Sequence, residues 1–463
     1  MQADPVFEPD LIARYDRAGP RYTSYPTAVQ FHEQFDTESY IENAHLTNEN
    51  LVPSPLSLYF HLPFCSTVCY YCACNKIITG NRRHAANYLD FLHHEIKLQA
   101  KLFDRDRVVE QLHWGGGTPT FFDSSQMQAL MRLTRSEFNL RNDDKGEYSI
   151  ELDPRECDSD TIENLRLLGF NRISLGVQDF DIAVQKAVNR IQSEEQTYAV
   201  IEAARRAQFK SISIDLIYGL PLQNTASFAE TLKKVIAMQP NRLSIFNYAH
   251  MPDRFKVQKQ IKTEDLPDAS TKLEIMKNNI QILSDAGYIY IGMDHFAKAD
   301  DELSLAQNNK AMTRNFQGYT THAECDVIGL GISAITRIGD CYAQNLHDLE
   351  AHQSAVNSNT LPVFRGFKLD NDDLLRQYVI NQIICYFELD YQDVQERYLI
   401  DFQNYFYNEL QILKLMQDDG LLALTDAGIA ITPAGRLLVR NVCMIFDKYL
   451  KDSARQGIFS KSI

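Results

Sequence analysis

The stretch "LSLYFHLPFCSTVCYYCAC", Leu56 to Cys74, joins an apolar run to a cluster of cysteines. The run 56–62 is rich in apolar and aromatic residues, which is typical of a buried β-strand. The cysteines follow with the spacing C-x3-C-x2-C-x-C. Because folds built on parallel strands place their chemistry in the loops after the strands, this loop is the first candidate for a functional site.

Further strand-like runs alternate with helix-length segments along the chain. Near-continuous apolar strands separated by helices indicate a parallel sheet whose faces are covered by helices. Six βα units are too few to close an eight-stranded barrel, so we expect an α/β fold with a partial, open (β/α)6 barrel. The strands are predicted at 56–62, 108–114, 148–152, 172–178, 211–219, 242–249 and 288–297.

Length and composition predict several domains. The chain has 463 residues, more than a single core normally accommodates. We expect a polar arm at 1–50, the barrel at 51–350 and a mainly helical domain at 351–463, whose hairpin and following helix resemble a winged helix. The formal net charge of −15 argues against a nucleic-acid partner, which would select a basic face.

The oxidation state of the cysteines depends on the compartment. The opening residues "MQADPVFEPDLIARYD" lack the basic and then apolar pattern of a secretory signal, and no apolar run reaches the roughly 18 residues of a membrane-spanning helix. We therefore expect a cytoplasmic protein with reduced thiols, which argues against disulfides in the cluster.

Metal binding is the stronger reading of the cysteine cluster. Zinc ribbons use two separated pairs of cysteines, and ferredoxins use C-x2-C-x2-C, so neither pattern matches. C-x3-C-x2-C is the radical S-adenosylmethionine (SAM) signature. Three thiolates, from Cys65, Cys69 and Cys72, would hold three irons of a [4Fe–4S] cluster and leave one iron open for the amino and carboxylate groups of SAM.

Cys74 complicates this assignment, since a fourth thiolate would close the open iron. An extended backbone projects residues two apart to the same side, so Cys72 and Cys74 would point together unless the chain bends between them. The radical SAM hypothesis requires Cys74 to be unligated.

Polar residues follow the other predicted strands. The glycines of "HWGGGTPT" (113–120) allow close backbone approach and could hold SAM through exposed N–H and C=O groups, with a tight turn as the alternative. Glu151 and Gln178 lie at the ends of apolar strands and Asp215 lies within one, where an unpaired polar group is costly. Two alternatives are equally supported by the sequence: these side chains bind a ligand, or they pair with an arginine of the barrel. Arg190 either pairs with a carboxylate or lies on a helix face.

The chain resembles the oxygen-independent coproporphyrinogen III oxidases of haem biosynthesis almost from end to end. The motifs that carry the resemblance occur in order along the chain, and their joint presence is highly specific. They are "GPRYTSYPTA", "LYFHLPFCSTVCYYCACNK", "LHWGGGTPT", "IELDPRE", "LGVQDF", "IDLIYGLP", "FNYAH", "GMDHFA", "RNFQGYTT" and "IGDCYAQN".

The resemblance implies a radical SAM barrel, an N-terminal arm over the active site, and two bound SAM molecules. It implies that Cys74 is not a ligand and that Phe316 and Gln317 lie near the active site. The first SAM would lie near Tyr59, Gly116, Glu151 and Ile335. The second would lie near Tyr71, where the family often has Phe, and near Gly117, Thr118, Gln178, Arg190, Asp215 and Ala249.

The implied reaction converts two propionates of coproporphyrinogen III to vinyl groups, giving protoporphyrinogen IX. A 5′-deoxyadenosyl radical removes hydrogen from the propionate β-carbon, and the substrate then loses CO2 and one electron. The family implies an electron donor of the flavodoxin or ferredoxin type, and we expect a monomer. Arg21 and Arg314 are our candidates for contacts to substrate carboxylates.

Three other functions share parts of the pattern. A haem chaperone on the same scaffold typically lacks "GPRYTSYPTA" and the cysteine at the position of Cys74, and both are present here. A purely electron-transferring cluster protein would need neither the long barrel nor buried carboxylates. A radical SAM methylase or haem-opening enzyme shares most of the motifs.

Overall fold

The computed structural model describes residues 4–450 and residue 459. These residues form two compact units, each assembled from separated parts of the chain. The barrel unit comprises Phe31–Asp268 and Glu324–Lys368. The second unit comprises the described residues of Met1–Gln30, Ala269–Ala323 and Leu369–Ile463. These units divide the chain differently from the ranges 1–50, 51–350 and 351–463, because residues 269–323 group with the two ends of the chain.

The barrel unit alternates strands and helices, as the apolar runs predict. Its first part has α1 (Thr37–Asn48), β1 (Leu56–Leu62), α2 (Arg83–Ala100), β2 (Val108–Gly116), α3 (Ser124–Glu137), β3 (Glu147–Leu152), α4 (Ser159–Leu168), β4 (Arg172–Gln178), α5 (Ile182–Ala187), α6 (Glu194–Arg206), β5 (Ser211–Tyr218), α7 (Thr225–Ala237) and β6 (Arg242–Asn247). The return segment adds β7 (Asp326–Leu330), β8 (Ile335–Ile338), β9 (Cys341–Asn345), α8 (Leu349–Asn357) and β10 (Val363–Lys368).

The strands of this unit lie in the order β6-β5-β4-β3-β2-β1-β7-β8-β9-β10. Strands β1 to β6 are parallel to their neighbours, and β7 pairs in parallel with β1. The pairs from β7 to β10 are antiparallel. The six predicted βα strands are thus confirmed as a partial barrel, and all their carboxyl ends lie at one edge of the sheet.

Alternation along β1 separates the core from the candidate site. Leu58, Phe60 and Leu62 are fully buried on one face, where Phe60 meets Trp114 of β2 edge-to-face at 6.1 Å between ring centroids. The intervening Tyr59 and His61 point to the opposite face of the sheet. Each fully buried large apolar side chain contributes about 1.5–3 kcal/mol.

Local capping agrees with the sequence pattern. Ser193 and Gln196 form the capping box that the sequence predicts at the start of α6. The predicted strand 288–297, in contrast, is a hairpin of Tyr288–Gly292 and His295–Lys298, and it belongs to the second unit. Positive φ angles at Gly292 (142°) and Met293 (54°) turn the chain there. Apolar content alone did not reveal this turn.

The second unit is mainly helical. Its hairpin of Leu422–Leu424 and Gly428–Ile431 precedes a helix at Val439–Ile445, as the sequence predicts. Among the described residues no helix is both long and apolar enough to span a bilayer. The other elements are the helices Pro9–Tyr15, Ala269–Asp285, Glu302–Asn308, Asn371–Tyr386, Tyr391–Tyr398, Phe402–Tyr405 and Tyr407–Asp418, and the strands Thr313–Asn315, Gly318–Thr320 and Glu388–Asp390.

Candidate active site

The cysteine loop leaves the carboxyl end of β1 and is closed by its own backbone. Two short parallel strands, Phe64–Cys65 and Ile77–Ile78, pair at its base. Lys76 donates from Nζ to the carbonyl oxygens of Cys72 at 3.0 Å and Cys74 at 3.4 Å. The loop is therefore ordered by protein contacts. Lys76 was not among the residues predicted from the sequence.

The glycine run after β2 holds the cysteine loop in place. The N–H of Gly117 donates to the Leu62 carbonyl at 2.8 Å, and the N–H of Thr118 donates to the Phe64 carbonyl at 2.8 Å. Thr118 also donates from Oγ1 to the sulfur of Cys65 at 3.5 Å. With the Gly116 N–H directed to Glu151, these three amide donors already have protein acceptors. They position the loop, so a ligand here would use other atoms of the run.

Substitution of Gly117 by alanine is expected to displace the cysteine loop. The added Cβ would lie 2.6 Å from the Pro63 carbonyl carbon and 2.7 Å from the Phe64 carbonyl oxygen, and backbone atoms cannot move aside cheaply. We expect Gly117→Ala to lose most of its iron after anaerobic reconstitution with iron and sulfide. Gly80→Ala is the matched control in the same loop region, because a Cβ there meets nothing within 4 Å. Equal iron content in the two variants would contradict this prediction.

Cys69 lies in a strongly cationic environment. Its sulfur is 3.8 Å from Nη2 of Arg155 and 3.6 Å from Nη1 of Arg190. Both arginines bind Asp153, through N–O distances of 2.7 Å and 2.9 Å. Burial disfavours the charged form of Asp153, but Arg190 and Arg155 outweigh it and keep its pKa below the ordinary range. The two guanidinium groups therefore place positive charge directly beside the Cys69 sulfur.

Arg155 was missed by sequence reasoning. It belongs to "DPRE" directly after β3, and that position at the ligand-binding edge of the sheet was its available signal. Arg190 is buried at only 6% exposure, so the alternative that it lies on an exposed helix face is wrong.

Cys72 and Cys74 are neighbours in space. A side-chain hydrogen bond from Cys74 is the main reason that the pKa of Cys72 falls to about 6, and Lys76 adds to the shift. The same hydrogen bond raises the pKa of Cys74. The two sulfurs therefore lie close together. Non-ligation of Cys74 stays a prediction.

The arrangement of the thiols favours a cluster over a single metal ion. Sulfurs around one tetrahedral zinc lie about 3.8 Å apart, as Zn–S bonds of about 2.3 Å require. Among the described residues, Cys65, Cys69 and Cys72 do not form a group whose ligand atoms all lie within 4.8 Å of one another. Three thiols on one loop, too widely spaced for one ion and bordered by cations, fit the larger and anionic [4Fe–4S] cluster.

A chain of hydrogen bonds crosses the inner face of β1, β2 and β3. The Nε2–H of His61 donates to the Asn75 carbonyl at 2.8 Å, so its Nδ1 accepts from the Tyr59 hydroxyl at 3.1 Å. Burial lowers the pKa of His61, and the ring is neutral at pH 7. The Tyr59 ring stacks on His113 at 5.8 Å. Tyr59 is thus fixed between the cysteine loop and the next strand.

Glu151 is the charged end of this network. It accepts hydrogen bonds from Nε2 of His113 and from the N–H of Gly116, each at 3.2 Å. Burial opposes its ionisation, but His113 and Gly116 outweigh burial and hold its pKa below the usual range. Its side chain is 44% exposed although strands surround it, so the carboxylate lines an accessible space. This ionised carboxylate suits an ammonium or a ribose hydroxyl.

Asp215 lies on β5 within reach of the same space. Burial and the charge of Glu151 raise the pKa of Asp215 to about 6. Its Oδ2 accepts from the Ser174 hydroxyl at 3.0 Å. No arginine pairs with Glu151 or Asp215 among the described residues, so the alternative of a salt bridge to a barrel arginine is wrong for both.

Gln178 combines backbone strain with an unsatisfied side chain. Its φ angle is +69°, which is uncommon for a residue other than glycine, and its buried Oε1 has no hydrogen-bond partner in the described structure. The buried Oδ1 of Asn247, at the end of β6, also has no partner among the described residues. Unpaired buried acceptors at the carboxyl ends of β4 and β6 fit a polar ligand with hydroxyl or amino donors, such as SAM.

The remaining barrel positions border this region. Gln258 donates from Nε2 to the carbonyls of Tyr71 at 3.1 Å and Ala249 at 3.3 Å, which ties the cysteine loop to the segment after β6. Ile335 begins β8, and its backbone approaches Gly329, which pairs with Tyr59 of β1.

Phe316 and Gln317 lie in the second unit, at the turn between the strands Thr313–Asn315 and Gly318–Thr320. The N–H of Gln317 donates to Asn315 at 2.9 Å, whereas its Nε2 is buried without a partner among the described residues. Their place near the active site stays a prediction.

Comparison with known proteins extends over the whole chain. The radical SAM superfamily matches residues 59–235, and the HemN C-terminal domain matches residues 369–438. Oxygen-independent coproporphyrinogen III oxidases of Pseudomonas aeruginosa and Helicobacter pylori are 52% and 43% identical to this chain, covering 99% and 98% of it and 99% of each relative. The chain belongs to the family of oxygen-independent coproporphyrinogen III oxidases.

Structural similarity agrees with this membership. A solved structure of the coproporphyrinogen III oxidase of Escherichia coli, described as a radical SAM enzyme, matches with a TM-score of 0.92 and 46% identity, covering 97% of this chain and 100% of that one. The resemblance inferred from the motifs is therefore confirmed. The radical SAM match begins at Tyr59 of this oxidase-family chain. It therefore includes the cysteine loop, the glycine run and Glu151.

Proposed function

We propose that this chain converts two propionate side chains of coproporphyrinogen III to vinyl groups, giving protoporphyrinogen IX. The observation that carries the proposal is three thiols on one loop beside an accessible, ionised Glu151, in a chain 52% identical to a named oxidase of this kind. When bound, the cluster and SAM would supply a radical that takes hydrogen from a propionate β-carbon, after which the substrate radical loses CO2 and passes one electron to an external acceptor.

The protein residues divide the work of binding and orientation. Cys65, Cys69 and Cys72 would hold the cluster, and Arg155 and Arg190 lie beside Cys69. Glu151 would receive the amino group or ribose of SAM, held in place by His113 and Gly116. A group fixed by several partners loses little freedom on binding, and this favours a productive geometry.

A second SAM molecule is part of the proposal. Its residues would be Tyr71, Gly117, Thr118, Gln178, Arg190, Asp215 and Ala249. The unpaired Oε1 of Gln178 and the Asp215 carboxylate support a polar ligand on this side of the barrel. Two molecules match the chemistry, because each of two propionates requires one radical.

The proposal also covers the electron donor, the oligomeric state and the division of the chain into functional regions. We infer an external one-electron donor of the flavodoxin or ferredoxin type, a monomeric chain in the cytoplasm, and no nucleic-acid partner. The functional division into an arm (1–50), a catalytic barrel (51–350) and a helical domain (351–463) belongs to the same proposal. The acidity of the chain, −15 overall, supports the exclusion of nucleic acid.

Anaerobic reconstitution tests the reaction. The purified chain receives iron and sulfide, then SAM, dithionite and coproporphyrinogen III. We expect protoporphyrinogen IX together with two molecules of 5′-deoxyadenosine for each product, since two hydrogens are abstracted. Chromatography of both products checks the ratio. Absence of both products would refute the oxidase, and haem binding without turnover would indicate a haem chaperone.

A further inference from the structure

Three arginines gather in the second unit. Arg21 forms an ion pair with Asp294, and Nε of Arg314 donates to the carbonyl of Arg21 at 3.3 Å. Arg440 donates from Nε to the carbonyl of Pro20 at 3.1 Å. Arg21, Arg314 and Arg440, with Asp294, are called the arginine group below. It brings together residues 20–21, the hairpin of strands Thr313–Asn315 and Gly318–Thr320, and the helix Val439–Ile445.

Arg314 is the member with an unsatisfied donor. Its guanidinium lies 4.7 Å from the centre of the Tyr319 ring, and its backbone N–H donates to Asn381 at 3.2 Å, so it is held in place. Its Nη1 is nevertheless buried with no hydrogen-bond partner among the described residues. A buried donor left unpaired is costly, which is a reason to expect an acceptor from outside the chain.

The arginine group also carries surplus positive charge. Arg440 is 3% exposed, and burial followed by repulsion from Arg21 lowers its pKa to about 10. Arg314 repels it further, while Asp294 attracts it. The arginine group thus holds three guanidinium groups and one carboxylate, which is paired with Arg21, within a chain whose net charge is −15. Such a site selects a carboxylate or phosphate, because the guanidinium fork pairs with two oxygens.

Within the proposed function, we propose that Arg314, flanked by Arg21 and Arg440, binds a propionate carboxylate of the tetrapyrrole, and that this propionate is one of the two that the reaction leaves intact. A propionate that reacts leaves as neutral CO2. Cations bound to that carboxylate would stabilise the charged reactant more than the neutral product. They would therefore slow the loss of CO2. The same cations on an unreacted propionate anchor the substrate without that cost.

Porphyrin binding to the reconstituted holoenzyme tests this assignment without turnover, since neither reductant nor SAM is added. Coproporphyrin III carries four propionates, and deuteroporphyrin IX carries only the two that correspond to the unreacted pair. Loss of one charged hydrogen-bonded contact weakens binding by about 10- to 100-fold. We expect Arg314→Gln to weaken both porphyrins by a similar factor in this range, and Arg314→Lys to weaken both by less.

Arg397→Gln is the matched control, because Arg397 also lies over a tyrosine ring, Tyr378 at 4.9 Å, but outside the arginine group. It should leave both affinities unchanged, and unfolding temperatures check that all variants fold. Unchanged binding in Arg314→Gln would overturn the inference, and weakening of coproporphyrin III alone would overturn the assignment to an unreacted propionate. A wild-type protein that binds no porphyrin would instead refute the proposed function itself.

Discussion

Serine in place of Cys69 is expected to abolish the iron–sulfur cluster and all activity, whereas serine in place of Cys74 is expected to preserve the cluster. A serine hydroxyl is a hard and weakly acidic donor, so it replaces a thiolate poorly on iron. Cys69→Ser also removes the sulfur atom that Arg155 and Arg190 contact, so both guanidinium groups lose that contact. Iron and sulfide analysis after anaerobic reconstitution measures the loss. Cys65→Ser and Cys72→Ser should behave in the same way.

Cys74 provides the sharper half of this prediction, because its sulfur already contacts Cys72. If three thiolates hold the cluster, Cys74→Ser keeps about four irons per chain, and added SAM still changes the spectrum of the reduced cluster. Cys157→Ser is the control for removal of a thiol elsewhere, since Cys157 contacts Thr120. If Cys74→Ser lost its iron as completely as Cys69→Ser, Cys74 would be a ligand. The hypothesis of one iron left open for SAM would then be rejected.

Glu151→Gln is expected to lower the rate of 5′-deoxyadenosine formation by about 10²- to 10³-fold while iron content stays at the wild-type level. The amide keeps the shape of the side chain and removes its charge. Charge-assisted bonds contribute about 1.5–3 kcal/mol each, and both the His113 contact and any bond to a SAM ammonium depend on that charge. Chromatography of 5′-deoxyadenosine from holoenzyme with dithionite and SAM provides the rate.

Glu147→Gln is the matched control on the same strand. Glu147 stands at the opposite end of β3, where it accepts from Gln111 at 2.7 Å and lies near Arg172. Its substitution should lower the unfolding temperature and leave the rate close to wild type. A Glu151→Gln rate within a few fold of wild type would contradict the assigned role of Glu151 in binding SAM.

Local signals were sufficient for most of the fold, and they also carry the prediction of the ligand set. Apolar runs between helices determine the strands, and the spacing of Cys65, Cys69 and Cys72 lies within one short loop. Glu151 was recognisable because a carboxylate at the end of an apolar strand is costly without a purpose. These features depend on residues close in sequence, where patterns are informative.

Contacts between distant segments were not predictable in the same way. Arg190 reaches Cys69 across 121 positions of sequence, and nothing near either residue indicates the contact. The amide donors of the glycine run looked available to a ligand, yet the end of β1 passes close enough for Leu62 and Phe64 to accept them. Such partners depend on which strands lie side by side in the folded sheet.

The parallel pairing of β1 with β7 has a consequence for synthesis on the ribosome. Residues 56–60 of β1 pair with residues 326–330 of β7, so one side of β1 receives its neighbour only after most of the chain has been made. Translation at about 5–20 residues per second separates the two strands by tens of seconds. During that time β1 has an exposed edge of the kind that invites association with other chains. The strand that ends at the cysteine loop is thus enclosed only after β2 to β5 have both of their neighbours.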